Sequence, residues 1–450
     1  MLAAALLLGG ASRGIAEGPS IEVRDRVQVS GDRASLPHFE PHLAAHPTDP
    51  AVLLGATVTL PEIDPPGGLN ATIVSGFRSE DGGRSWSRFD LPACNIDPWV
   101  TFDGDRAHIA CLASDPASIV AYTSQDGGVT WNGGTSVPRG EGGSTDRPIL
   151  VAASRGGTGS GTVYAVFGQH FPAEGLSQTL FGPSVSRSED AGRSFETPYF
   201  LRHDNLQQQP IAALALSDSS LAVLFMDFAG PEGLLEHRRT WLALSEGRGR
   251  SFATPTLVLE QRDHEMPWSA AVDASSEHKD RIYVVADGFW KRRGARPDDL
   301  PPDGAGLFVI SSDDGGRSWS RRRPVTDPSV RSNQETPAIG VNRDGVVGVA
   351  WYDTRHDPRG ECFDLYFTAS LDGGESFLPS VRVTPETSCP RAVVEQRGVA
   401  ARWPFGGDYS GLAAAVDGKF HLFWADSSAG VYQVWSAAVR VLPDASQKPR

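Results

Sequence analysis

Ser79-Glu-Asp-Gly-Gly-Arg-Ser-Trp86 decides the fold, because it returns five more times along the chain in altered form. The other copies are Ser124-Gln-Asp-Gly-Gly-Val-Thr-Trp131, Ser188-Glu-Asp-Ala-Gly-Arg-Ser-Phe195, Ser245-Glu-Gly-Arg-Gly-Arg-Ser-Phe252, Ser312-Asp-Asp-Gly-Gly-Arg-Ser-Trp319 and Ser370-Leu-Asp-Gly-Gly-Glu-Ser-Phe377. The third position is Asp81, Asp126, Asp190, Asp314 and Asp372 in five copies, and Gly247 in the fourth. Successive third positions lie 45 to 67 residues apart, an interval that marks a repeat architecture. Each copy reads as a tight hairpin turn, in which Asp accepts backbone N–H bonds and Gly supplies positive φ. The aromatic that ends each copy can pack between neighbouring sheets. None of this chemistry requires a substrate, so the six motifs are expected to be structural.

A second repeat precedes each turn and marks the first strand of each unit. Its copies begin at Glu40-Pro, Asp97-Pro, Asp146-Arg-Pro, Gln209-Pro, Glu265-Met-Pro and Glu335-Thr-Pro, and each runs on into small and apolar residues. Pro suits the start of a strand, where no ladder donor is lost. A seventh copy, Asp408-Tyr-Ser-Gly-Leu-Ala, has neither the Pro nor a following turn motif. The sixth unit shows its strands plainly, at 336–341, 345–352, 364–370 and 377–383. Four short strands with Gly-rich turns make one blade of a β-propeller. The last unit supplies three strands, at 411–416, 419–424 and 432–441. Arg26-Val-Gln-Val-Ser30 resembles the missing fourth. The expectation is an all-β propeller of seven four-stranded blades, closed by this N-terminal strand, which removes open sheet edges. A six-bladed ring with the last three strands as an appendage is the alternative.

The turn motif resembles the Asp-box, or BNR repeat, and the chain is similar to the sialidase-like β-propellers over nearly its whole length after the N-terminus. The resemblance implies glycoside hydrolysis of the exo-sialidase type, with arginines clamping a carboxylate, a Tyr nucleophile activated by Glu, and an Asp acid/base. Gln334-Glu-Thr-Pro-Ala-Ile-Gly-Val-Asn-Arg-Asp-Gly345 resembles the family's strand bearing the catalytic Glu, which puts Glu335 in that role. Asp408-Tyr-Ser-Gly-Leu resembles the late segment bearing the nucleophile, which puts Tyr409 there. Asp97 is the candidate acid/base, and Arg147 and Arg355 are placed to bind substrate. Three features depart from the pattern. Phe39-Glu-Pro41 stands where an Arg-Ile-Pro segment would supply the first arginine; Arg355 comes three residues late after its Asp-Gly; and no clear third arginine is present.

Propeller first strands line a central channel, so their heads form a candidate ring of Glu40, Asp97, Asp146, Gln209, Glu265, Glu335 and Asp408. The ends of the second strands add Asp227, Asp287, Asp353, Arg355 and Asp426, and the loops add Trp290, His356 and His264. These acids are read either as caps at strand starts or as a convergent, substrate-binding funnel in which Glu40, Asp353 and Asp408 take part. Convergent carboxylates repel unless protonated, paired with Arg or bridged by a cation. Ca²⁺ is the candidate cation, with no cofactor required. Asp353 and Arg355 share a strand face and are read equally as a salt-bridged strand end or a ligand clamp. Trp99, Trp268, Trp403 and Trp424 are read as core. A non-catalytic propeller that binds a glycan, protein or cation through its acidic funnel is the alternative function, and a structural cell-surface module is a third.

The 450-residue chain carries a net charge of −14, which argues against a nucleic-acid partner. No apolar run reaches the roughly 20 residues of a membrane span. The 49 glycines and 33 prolines fit an all-β chain. Residues 1–16 resemble the apolar region and cleavage site of a secretory signal, though without a basic leading segment. The expected organisation is a signal peptide at 1–16, one propeller over 20–443 and a tail at 444–450. The protein is expected to be secreted, periplasmic or at the cell surface, and monomeric. The four cysteines are read as two local disulfides, Cys94–Cys111 and Cys362–Cys389, or as four buried thiols. Their spacing makes no zinc pattern. Asn70-Ala-Thr72 is a glycosylation sequon, and the glycine-rich run at 155–161 has no helix to receive a phosphate.

Overall fold

The computed structural model describes residues 18–62, 71–113, 118–140, 143–153, 160–172, 179–201, 207–230, 233–234, 238–261, 266–287, 306–330 and 332–443. The expected signal peptide, tail and sequon Asn70, with Glu265, His264, Trp290 and most of the 155–161 run, lie outside these residues.

Seven antiparallel sheets follow one another along the chain. Their first strands are His38–Ala45, Cys94–Asp103, Thr145–Ala152, Gln207–Ala215, Met266–Val272, Gln334–Val341 and Gly411–Ala414. Each touches the next, and the last touches the first, so the sheets form a closed seven-bladed ring. Ser20–Gln28 pairs with Gln433–Leu442 and is the outermost strand of the seventh blade. The N-terminus thus closes the ring, and the six-bladed alternative is set aside. Strand bounds differ from the sequence reading by a few residues: the closing strand begins six residues earlier than read, and the fourth strand of the sixth blade shortens to Val381–Arg382.

The core is divided among the seven junctions between blades. Successive strand side chains point to opposite faces, so one strand serves two cores. In the second strand of blade five, Ile282, Val284 and Ala286 pack toward blade four, while Tyr283 and Val285 pack toward blade six. In blade six, Val347, Val349 and Trp351 face blade five, and Ala350 and Tyr352 face blade seven. This explains why the second strands read as continuous apolar runs without alternation.

The repeated turns are held as their chemistry predicts. Ser79 Oγ donates to Asp81 Oδ1 and accepts from Gly83 N, at 2.9 Å each. Asp81 also accepts from the backbone N–H groups of Arg84 and Ser85 at 2.9 Å and from Ser85 Oγ at 2.7 Å. The turns at Asp126, Asp190, Asp314 and Asp372 repeat the Ser and Asp contacts. Each terminal aromatic seals the junction with the preceding blade: Trp86 lies 5.4 Å from Phe423, and Trp131 lies 5.3 Å from Phe89. The fourth copy lacks Asp and closes by backbone pairing of Ser245–Glu246 with Ser251–Phe252.

Disulfides join Cys94 to Cys111 and Cys362 to Cys389. The first links two adjacent strands of blade two. The second anchors the start of a long connection from blade six to blade seven. That connection contains a single helical turn and a half, Arg397–Arg402. Among the described residues no helix is long and apolar enough to cross a membrane.

Candidate functional site

The first strands share an irregularity that builds the site. Their pairing slips between Phe39 and His42, Ile96 and Trp99, Asp146 and Ile149, and Glu335 and Ala338. At each slip the residue before proline has positive φ: Glu40 (53°), Asp97 (55°), Arg147 (44°) and Thr336 (51°). Non-glycine residues rarely adopt this conformation, which costs roughly 1–3 kcal/mol each. A bulge re-aims its side chain, and here it recurs at the strand heads of blades one, two and three, which border one another, and of blade six. The bulge also corrects the sequence alignment. Arg147 and Thr336, and not Asp146 and Glu335, are the equivalents of Glu40 and Asp97, because the pre-proline residue carries the kink.

Glu40, Asp97, Asp146, Arg147, Gln209, Asp408 and Tyr409 come together as one electrostatic unit. Glu40 is 1 % exposed and hydrogen-bonds to Asp97 through its side chain. Burial, and then the charges of Asp97 and Asp408, push its carboxyl well above the usual range. Asp97 is raised to about 7 by burial and then by Asp146, with Arg147 opposing. Such a pair holds one proton between its two carboxyls at neutral pH. Gln209 Nε2 donates to Asp146 Oδ2 at 3.3 Å.

Tyr409 is buried beside the pair, and its hydroxyl donates to the Pro98 carbonyl at 3.4 Å. Burial, then Glu40 and Asp97, raise the phenol well above its ordinary value. The Arg147 guanidinium lies 5.4 Å from the Tyr409 ring centre. Trp99, which the sequence reading assigned to the core, and His42, which it did not single out, lie beside Tyr409. His42 and Trp99 follow Glu40 and Asp97 by two positions, the spacing that was the available signal. Their rings lie 3.8 Å apart, and 6.2 and 5.9 Å from Tyr409. His42 Nδ1 accepts from Val100 N at 3.3 Å, and burial, then Arg147, lower its pKa to about 3. It is neutral and no acid.

The connection between blades six and seven delivers Asp408 and Tyr409. Trp403 stacks on Phe39 at 4.5 Å, and Tyr432 Oη donates to the carbonyls of Trp403 and Pro404 at 3.1 and 2.9 Å. Gly406 O then accepts from Glu40 N at 2.8 Å. Gly407, at φ 139°, presses so closely on Glu40 that a Cβ there would lie 2.7 Å from Glu40 N.

Glu335 is half-buried at the head of blade six, opposite Tyr352 in the ladder. Next to it, the Thr336 carbonyl accepts from Ser410 Oγ at 3.5 Å. The strongest charged influences on Tyr409 come instead from Glu40 and Asp97. Asp353 and Arg355 stand apart from this cluster. Asp353 is wholly buried, pairs with Arg355 at 2.5 Å and accepts from Trp351 Nε1 at 2.9 Å. Arg355 lies 3.8 Å from the Tyr366 ring centre and reaches Ser380, in the outer half of the blade. His356 Nε2 meets the Tyr366 hydroxyl at 2.7 Å in the same place. Asp227, Asp287 and Asp426 repeat the indole clamp with Trp241, Trp268 and Trp424 at 3.0, 2.5 and 3.3 Å. These second-strand acids cap blades. Among the described residues no group of three or more His, Cys, Asp or Glu is arranged to hold a metal ion.

No known family model matches the chain, and no curated protein matches it in sequence. Solved structures do resemble it. A Mycobacterium tuberculosis puromycin-hydrolyzing peptidase is 13% identical with a TM-score of 0.51, over 93% of this chain and 55% of that one. This chain therefore spans about half the peptidase's length. A Penicillium chrysogenum alpha-L-arabinanase complexed with arabinobiose is 11% identical with a TM-score of 0.45, over 95% and 98% of the two chains. An ulvan lyase of polysaccharide lyase family PL25 is 12% identical with a TM-score of 0.47, over 75% and 83%. At such identities the likeness is one of fold.

Proposed function

We propose that this protein is an exported, glycan-directed propeller that cleaves glycosidic bonds at the axial cluster. The observation that carries the reading is the hydrogen-bonded pair Glu40–Asp97 set against the buried phenol of Tyr409. Two carboxyls in hydrogen-bond contact are too close to flank a sugar as separate acid and base, which takes about 5–9.5 Å. They act as one proton-sharing unit, and a second group must complete the chemistry. Tyr409 is that group. When its oxygen bonds to the anomeric carbon, the bond from that carbon to the aglycone oxygen breaks. The tyrosine proton passes to the ionised member of the pair, and the proton the pair already holds goes to the departing alcohol, after which water cleaves the tyrosyl glycoside and restores the phenol. This is the tyrosine-nucleophile chemistry of the sialidase-like resemblance, with the Glu40–Asp97 pair in the place that the sequence gives to Glu335. Two disulfides fit an oxidising compartment and support export.

One observation favours a second reading, binding without cleavage. The groups around Tyr409 raise its pKa, which keeps the phenol neutral and weakly nucleophilic. A panel of aryl glycosides, including the sialoside, separates the two. Wild type is compared with Tyr409→Phe, Glu40→Gln and Glu335→Gln, with and without chelator. Turnover abolished by Tyr409→Phe and Glu40→Gln supports the proposal. Loss with Glu335→Gln alone returns the base to Glu335. No turnover by wild type favours the binding reading, and loss on chelation would bring in the cation.

A further inference from the structure

We propose that the axial site selects an uncharged sugar, held by a pair of neighbouring hydroxyls between Arg147 and Glu40. This rests on the glycan-directed reading and adds the substrate class. Two buried atoms at the site lack partners. Glu40 is 1 % exposed, and its Oε2 has no hydrogen-bond partner. Arg147 Nε is buried and also unpartnered, and among the described residues the guanidinium makes no direct ion pair; it lies 5.4 Å from the Tyr409 ring centre. A buried polar atom without a partner is costly, so both point to a ligand.

The two demands are of opposite kind. Arg147 can only donate, and the Glu40 oxygen that the shared proton does not occupy can only accept. A ligand that satisfies both must offer an acceptor and a donor side by side. A carboxylate answers Arg147 and leaves Glu40 empty, and an ammonium does the reverse. A sugar hydroxyl both donates and accepts, so two neighbouring hydroxyls meet both groups at once. Charge points the same way. Asp146, Asp408 and Arg147 all act on Asp97, and Arg147 is the one cation named among these influences. A second anion placed there would be repelled by its neighbours more than one arginine offsets. The His42 and Trp99 rings beside Tyr409 are neutral and add no charge of their own.

Calorimetric titration of the full chain with methyl glycosides of neutral hexoses and pentoses, and with the matching uronides, tests this. Neutral glycosides should bind, and each uronide should bind at least about tenfold more weakly than its neutral counterpart. Arg147→Lys keeps the charge and loses the planar fork, and should weaken neutral glycosides about tenfold. Its melting temperature is measured alongside, to separate binding from folding. Asp408→Asn removes one negative charge and should narrow the gap between neutral glycoside and uronide. A uronide that binds as well as its neutral counterpart overturns this inference and leaves the glycan reading standing. Absence of binding by every glycoside overturns both.

Discussion

Glu40 and Asp97, bulged residues of adjacent first strands, hydrogen-bond to each other through their carboxyl groups. Strained backbone aims both side chains at the axis, and burial then raises both pKa values. The site therefore carries a stability cost that varies with pH. Asp97 titrates at about 7 in the folded chain and near 4 when unfolded. A raised carboxyl favours folding fully below the unfolded value, and that stability is lost as pH rises to about 7. The native protein should be relatively more stable at pH 5 than at pH 8 on account of this pair. Asp97→Asn, which cannot ionise, should raise the melting temperature at pH 8 and change it little at pH 4. An equal change at both pH values would show that the pair is not sharing a proton.

Gly407 sets the distance between the incoming segment and Glu40. A methyl group at that position meets the Glu40 backbone nitrogen, and φ 139° is unfavourable for any L side chain. Gly407→Ala should destabilise the protein by more than about 2 kcal/mol. It should also displace Glu40 and move the acid limb of any pH–rate profile. Chemical denaturation and the pH profile check the two effects separately.

Cys362–Cys389 anchors the segment that carries Asp408 and Tyr409 to the axis. Its loop spans 27 residues, for which loop closure contributes about 3–4 kcal/mol. The double substitution Cys362→Ser, Cys389→Ser should lower stability by about that amount and loosen amide protection from 390 to 410. Hydrogen exchange reads the local effect. The same pair of substitutions at Cys94 and Cys111 should leave that segment unchanged.

Ser312 is 2 % exposed and ties the fifth turn together. It accepts from Gly316 N at 2.8 Å and donates to Asp314 at 2.9 Å. Ser312→Ala orphans a buried N–H and should cost about 1–3 kcal/mol, with no effect on ligand binding. Thermal melting measures the cost. A change in glycan affinity would contradict the structural role given to these turns.

The sequence by itself determined the architecture. The period of the Ser-x-Asp-x-Gly turns and of the strand heads is local chemistry, and local chemistry is written in order along the chain. Seven strand heads against six turns pointed to an N-terminal strand, read at Arg26–Ser30, in the last blade, and Ser20–Gln28 takes that place. The axial acids Glu40, Asp97, Asp146 and Asp408 and the phenol of Tyr409 were legible for the same reason, since each opens a repeat. Only the tertiary structure decided which of them meet. Glu40 and Tyr409 are 369 positions apart in the numbering and become neighbours because the ring closes between its last blade and its first. The one-residue bulge that favours Arg147 over Asp146 is equally silent in sequence, since proline marks its place but the backbone sets its direction. Asp353 carries the same letters as a ligand clamp, and only the contacts with Trp351 and Arg355 reveal a strand cap. Those partners lie two positions away along the chain, so the letters permitted either reading, and only the complete burial of Asp353 with its indole and guanidinium contacts shows which one the fold uses.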